Sequence, residues 1–242
     1  MQRHKLTQRI IIAVLFFALA ICGITIRLSS RARERFPVRG VDVSSYQGYI
    51  DWDEIEESDI DFAFIKATEG STFRDKMFRD NIENIADTGI AAGAYHFMSF
   101  ESSGEAQAEN FISVVDADKI TLPPVIDLEL YGKYNDKPPG AAYVRGILDV
   151  MVERLHEEYG VYPIIYTNRR AYSLYVSGEY RDCDIWLCDL VKEPALPDGR
   201  EWMFWQYSHT EILPGYDGEE EHIDMNIFNG SRSEFRRYIK RK

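Results

Sequence analysis

The chain has 242 residues, 45% of them hydrophobic and 13% aromatic, enough apolar material for one packed domain and too much for a disordered chain. Its net charge of −12 is unevenly spread: residues 1–36 hold seven Lys or Arg against one acid, a net +6, which leaves −18 for the remainder. A domain that acidic is excluded from binding nucleic acid by phosphate neutralisation.

Taken in chain order, residues 1–9 are a basic segment and Ile10–Ile26 is an apolar run without a charge. Seventeen residues lie at the short end of a membrane span, for which about 20 is usual. The expectation is an uncleaved transmembrane signal-anchor over 10–26, a polar juxtamembrane linker over 27–36 and a domain over 37–242. A cleaved signal peptide would have only Ser29, Ser30 and Ala32 near its cut site, and a lipid anchor at Cys22 would follow the bulky Ile21. Three Lys/Arg precede the run and four follow it, so charge does not set its orientation. Of the other two cysteines, Cys183 and Cys188 would stand about 16 Å apart on an extended strand and on opposite faces of it, so neither a disulfide nor a metal site is expected.

From Val38 onward, apolar runs that read as strands cover 38–43, 61–67, 90–97, 123–129, 162–167, 184–190 and 202–208. Between them lie three helical patterns: Met77, Phe78, Ile82 and Ile85 in 74–88, Ala108, Phe111, Ile112 and Val115 in 104–115, and Val144, Ile147, Leu148, Met151 and Leu155 in 140–159. Gly89 and Gly160 stand where helix C-caps are expected. Such alternation predicts an α/β domain with a parallel sheet and crossover helices, closed as a barrel. Past residue 184 the helical signal fades, and an irregular tail is expected.

Nearly every strand ends in polar groups: Asp42 with Ser44 and Ser45, Lys66 with Glu69, Tyr95 with His96, Asp127 with Glu129, Tyr166 with Asn168, Asp189, and Gln206 with Tyr207. In a β/α barrel these ends converge on the face that holds the site. Along Val125-Ile126-Asp127-Leu128-Glu129, alternation puts both acids on one face with Cα atoms about 6.5–7 Å apart. Two carboxylates that close raise the pKa of one, which can then serve as an acid. Glycoside hydrolysis needs such a donor together with a negative partner for an oxocarbenium-like state. A metal pair or a buried ion pair would use the same residues, although no third ligand stands nearby in sequence.

An ordered series of motifs carries a family resemblance from Arg39 to Gly230. It runs through Gly40-Val41-Asp42-Val43-Ser44, Tyr46-Gln47-Gly48, Ile50-Asp51-Trp52, Phe64-Ile65-Lys66-Ala67-Thr68-Glu69-Gly70, Gly93-Ala94-Tyr95-His96-Phe97, Asp127-Leu128-Glu129, Ile165-Tyr166-Thr167-Asn168, Trp205-Gln206-Tyr207 and Ile223-Asp224-Met225-Asn226. In this the chain resembles the family 25 glycoside hydrolases, the N-acetylmuramidases of the Chalaropsis type. The resemblance implies an irregular TIM-like β/α barrel that cleaves the β-1,4 bond from N-acetylmuramic acid to N-acetylglucosamine in peptidoglycan glycan strands. It implies Glu129 as general acid, Asp127 as the carboxylate that steadies the substrate acetamido group, and Asp42 and Asp224 as further acids of the cleft floor. Tyr95, Tyr166, Trp205 and Gln206 become sugar contacts.

Glu69, His96 and Asp189 are further candidate contacts. Glu69 could instead pair with Lys66, and His96 could be a hydrogen-bonded structural residue. Asp189 sits in Trp186-Leu187-Cys188-Asp189-Leu190, where many relatives have Trp-x-Ala before an aromatic residue. The implied mechanism is substrate-assisted with net retention, no cofactor is required, and the domain is expected as a monomer outside the cytoplasm, held to the membrane by the N-terminal segment or secreted if that segment is cut. Two other functions fit the same polymer. A non-catalytic glycan binder would not need the acid pair. A zinc deacetylase or amidase would need clustered histidines, whereas His4, His96, His156, His209 and His222 are scattered.

Overall fold

The computed structural model describes residues 35–239. The anchor expected over 10–26 lies outside the described residues, as do segment 1–9 and nearly all of the linker; no described helix is long and apolar enough to cross a membrane.

Eight strands close a barrel: β1 (Arg39–Val43), β2 (Phe62–Glu69), β4 (Ala91–Phe97), β5 (Val125–Leu128), β6 (Ile164–Asn168), β7 (Ile185–Cys188), β8 (Phe204–Glu211) and β9 (Ile223–Phe228). Strand β3 (Phe73–Arg74) extends β2 as an antiparallel flap outside the ring. From β1 through β8 every neighbouring pair in the ring is parallel. Strand β9 runs antiparallel to both β8 and β1, which corrects the expected all-parallel sheet. The reason is the connection: residues 212–222 form no helix, and a return without a crossover helix leaves antiparallel partners. Beyond the two strands expected after residue 184, the tail also holds β9 and a helix, and is to that extent more regular than expected.

The helices are α1 (Trp52–Glu57), α2 (Phe78–Asn84), α3 (Gly104–Ile112), α4 (Ala141–Tyr159), α5 (Arg169–Ala171), which runs on into a π turn over Tyr172–Val176, and α6 (Arg232–Tyr238). The longest of the described helices, α4, buries Val144, Ile147, Leu148, Met151, Val152 and Leu155 along one stripe and stops at Gly160, whose φ of 70° is open to glycine. Gly89 does not cap α2; a 3-10 turn over Ile85–Asp87 ends that segment first.

Alternation along the strands splits the core in two. Outward residues such as Val41, Ile65, Ile126, Ile165 and Leu187 meet the helices. Inward residues Phe62, Phe64, Val125, Ile164, Trp186, Phe204 and Phe228 fill the lower barrel, and Phe235 and Tyr238 of α6 complete that cluster. Phe64 stacks on Trp186 with centroids 4.5 Å apart, and Trp186 meets Tyr166 at 4.4 Å. Gly93 makes this possible, because a Cβ there would strike the Phe64 ring and Leu122. With its lower half packed by aromatics, the barrel leaves space for polar chemistry only at its upper, C-terminal mouth.

Candidate active site

The mouth holds two cavities that share Asp42, Tyr95 and Asp224 and so form one groove. The inner one, about 210 Å³, is also lined by Phe97, Asp127, Glu129, Tyr166, Trp186 and Gln206. The outer one, about 370 Å³, continues over Ser44, Tyr46 and Gln47 to His209, Glu220 and His222. Its wall depends on Gly48, whose φ of 71° lets the chain touch Gly218; Gly218 N donates to Gln47 O, Glu220 N to Tyr46 O, and Tyr49 N to Asp217 Oδ1.

Strand register builds the acid cluster. Asp42 of β1 stands opposite Asp224 of β9, and Asp127 of β5 lies between Phe97 and Tyr166. Gln206 Nε2 donates to Asp42 Oδ2 at 2.9 Å and to Asp224 Oδ2 at 3.0 Å, while its Oε1 accepts from Tyr166 Oη at 2.8 Å. Asn226 Nδ2 donates to Asp42 Oδ2 at 2.7 Å and its Oδ1 accepts from Trp186 Nε1 at 2.8 Å. Every amide on the floor thus turns its donor toward a carboxylate, with an aromatic donor fixing the other end.

Burial pushes all four carboxyls up from their ordinary range. Asp127, 8% exposed, rises well above its usual value, through desolvation first and the Glu129 charge second, with Lys66 opposing. Its Oδ1 has no hydrogen-bond partner among the described residues. Glu129 is raised by desolvation, and a hydrogen bond from Asn168 Nδ2 to its Oε1 at 3.1 Å works against the rise. Asp42 and Asp224 are both raised, by desolvation before all else, and the Asp42 charge adds to the rise at Asp224. Desolvation and the surrounding carboxylates hold the Tyr95 and Tyr166 hydroxyls protonated well above their ordinary range. Among the described residues no group of three His, Cys, Asp or Glu is placed to hold a metal ion.

Seven residues expected at the site line the inner cavity: Asp42, Tyr95, Asp127, Glu129, Tyr166, Gln206 and Asp224. The structure places four others elsewhere. His96 is fully buried on the helix side of β4, hydrogen-bonded to Thr68 Oγ1 at 2.7 Å and Gln107 Oε1 at 3.2 Å, and burial pulls its pKa down to about 4, so it is neutral. Trp205 is buried against Trp202 and Tyr207 and donates to the Asp189 carbonyl at 2.8 Å. Both follow or precede a cleft residue by one position, and a strand turns such neighbours to opposite faces. Asp189 is buried in an ion pair with Arg169 and accepts from Val191 N and Lys192 N. Glu69 pairs with Lys66 at 2.7 Å and lines neither cavity; Lys66 itself lies between the Phe73 and Phe97 rings.

Phe97, Trp186, Asn168 and Asn226 are residues that the sequence-based list omitted. Period-two alternation from Tyr95, Tyr166 and Asp224 would have found three of them. His209, Glu220 and His222 enter through a loop contact that no local pattern announces.

Residues 41–216 match the family model described as Glycosyl hydrolases family 25. Lysozyme M1 of Streptomyces globisporus is 35% identical over 80% of this chain and 68% of its own length. Among solved structures, a family 25 glycosyl hydrolase from Bacillus anthracis superposes with a TM-score of 0.80 at 49% identity, covering 84% of this chain and 94% of that one. A bacterial lysozyme from Streptomyces coelicolor gives a TM-score of 0.76 at 30% identity over 86% of this chain and 99% of that one.

Proposed function

Since the chain belongs to the glycosyl hydrolases family 25, we propose that its groove cleaves peptidoglycan glycan strands at the β-1,4 bond from N-acetylmuramic acid to N-acetylglucosamine, with Glu129 as the general acid. The enzyme is a lysozyme-type glycoside hydrolase. The observation that carries the finer reading is the bare Oδ1 of Asp127 in the cavity that Glu129 also lines. A buried carboxylate oxygen without a protein donor fits an incoming N–H, and the acetamido group of an N-acetylated sugar supplies one.

Proton bookkeeping follows from that contact. Of the two acids Asp127 is the more strongly desolvated. A substrate N–H donating to Oδ1 favours the charged form of Asp127, as Lys66 already does, so the proton of the pair resides on Glu129 in the complex. Glu129 then protonates the glycosidic oxygen. The acetamido oxygen, steadied by Asp127, attacks the anomeric carbon, and Glu129 deprotonates the water that opens the intermediate, with net retention. The Asp42–Asp224 pair, Tyr95 and Gln206 line the floor beneath the sugar being cleaved.

Digestion of purified peptidoglycan with mass analysis of the new reducing ends tests this. Muramic acid ends are expected; glucosamine ends or intact glycan overturn the assignment. Proton NMR of the first product should show the β-anomer before mutarotation, and an initial α-anomer overturns retention. This substrate lies outside the cytoplasm, and the apolar run 10–26 would hold the domain there; recovery of the full chain in the soluble cytoplasmic fraction would count against that placement.

A further inference from the structure

Strand β6 ends at Asn168, two residues beyond Tyr166 and therefore on the same, cleft-facing side. Asn168 is also the N-cap of α5, where its Oδ1 accepts from Arg170 N at 3.1 Å and Ala171 N at 3.0 Å. Two backbone N–H groups need an oxygen, which settles the orientation of the amide and leaves only its NH2 to face Glu129. The segment that carries it is fastened on both sides. Arg169 turns away to Asp189, and Arg170 Nη1 donates to the Asn135 carbonyl at 2.7 Å, within the loop that follows the acid pair. Asp189 thus anchors the strand end that meets the acid instead of reaching the groove.

An amide donor of fixed polarity beside a carboxyl makes its two oxygens inequivalent. The one that accepts from Asn168 cannot also carry the proton toward Asn168, because NH2 offers no lone pair there. Resting on the reading of Glu129 as the acid, we propose that Asn168 is a positioning residue: its Nδ2 pins Oε1 of Glu129, so that Oε2 is the oxygen that holds and delivers the proton. The Glu129 charge reaches Asp127, Asp42, Asp224, Tyr166 and Cys188, none of them cationic; Lys66 acts on Asp127 beside it. Asn168 is therefore the group opposing desolvation at this carboxyl, and donation to a carboxylate favours its ionised form.

The test uses the full chain and the variants Asn168→Ser and Asn168→Asp. Both keep an oxygen to cap α5, and neither offers an NH2 to Glu129. Three quantities are read: the carboxyl-carbon NMR titration of Glu129, identified by its loss in Glu129→Gln, kcat and KM on peptidoglycan against pH, and Tm. With the donor gone, the Glu129 titration and the alkaline limb of kcat should both move upward by about half a pH unit or more, and further for Asp than for Ser. In Asn168→Ser, kcat should fall about tenfold with KM within about twofold and Tm little changed. A titration that does not move in either variant overturns the proposal, as does a shifted titration with wild-type kcat. A fall in activity that tracks Tm and leaves the limb in place means a cap alone and overturns it too. If Asn168→Ser fails to fold, Asn168→Asp decides. Should the wild-type protein release no muramic acid ends, the reading of the reaction falls, while the titration still judges Asn168.

Discussion

Asp42 and Asp224 stand opposite each other in the antiparallel register of β1 and β9, and one amide, Gln206 Nε2, donates to both at 2.9 and 3.0 Å. Two desolvated carboxyls that share a single donor cannot both ionise at little cost. This pairing and the neighbouring Asp127–Glu129 pair give the groove its chemistry, and each yields a measurable consequence.

Replacement of the bridge should show what it does. Gln206→Glu substitutes a third carboxyl for the shared donor, while its other oxygen still accepts from Tyr166 Oη. We expect a loss of about 2–3 kcal/mol near neutral pH, smaller near pH 5, where protonation relieves the repulsion. Urea unfolding at the two pH values reads the difference; equal losses would mean that charge is not the cause.

Asp224→Asn should stabilise the protein at neutral pH. The folded carboxyl is raised above its unfolded value, so as pH rises past about 4 the unfolded chain ionises first and folded stability is lost. Asparagine removes that penalty while its Oδ1 can still accept from Gln206. The gain should be about 1–2 kcal/mol near pH 7.5 and should vanish near pH 4, at the expense of activity on peptidoglycan. A variant less stable than wild type at both pH values would contradict the burial argument.

Glu129→Gln should lower kcat by about 10²–10⁴-fold, the usual contribution of a general acid. Glycan affinity, measured by calorimetry on an uncleaved oligosaccharide, should stay within a few-fold. Retained turnover would move the acid role to another group of the cleft.

His96→Ala should separate fold from chemistry. The ring bonds Thr68 and Gln107 inside the helix layer, so its removal should cost about 2–3 kcal/mol through unpaired groups and a small cavity. The kcat of the folded fraction should stay within about twofold, since the ring does not line the groove. Because the folded histidine resists protonation down to about 4, the native side chain also loses stability as pH falls from about 6.5. A kcat collapse in a folded variant would return His96 to the site.

Much of the barrel was legible because its strands are short apolar runs punctuated by amphipathic helices, and those patterns are local. The core of the site was legible for the same reason: Asp127 and Glu129 share a face through alternation alone, and Asp42 and Gln206 lie on strands of their own. What failed was the assumption that adjacent polar residues at a strand end share a destination. Tyr95 and His96, or Trp205 and Gln206, part company at the pleat. Strand β9 is not legible as an element because its alternation, Ile223-Asp224-Met225-Asn226, covers a short span, and the strand ends at Phe228, shortly before the Ser231 helix cap. The outer groove was invisible because the contact of Gly48 with Gly218 is made by residues far apart in the chain.

The closing seam of the barrel joins its first strand to its last. Asp42 therefore acquires Asn226, Gln206 and Asp224 only after almost the whole domain has been synthesised and wound into place. Pairing so distant in sequence is slow to form, since loop closure must come before the contacts that reward it. A half-made chain consequently lacks the partners that bridge Asp42 and close the groove around it. Hydrolytic competence should arrive late and all at once, so that a ribosome-bound intermediate is inert.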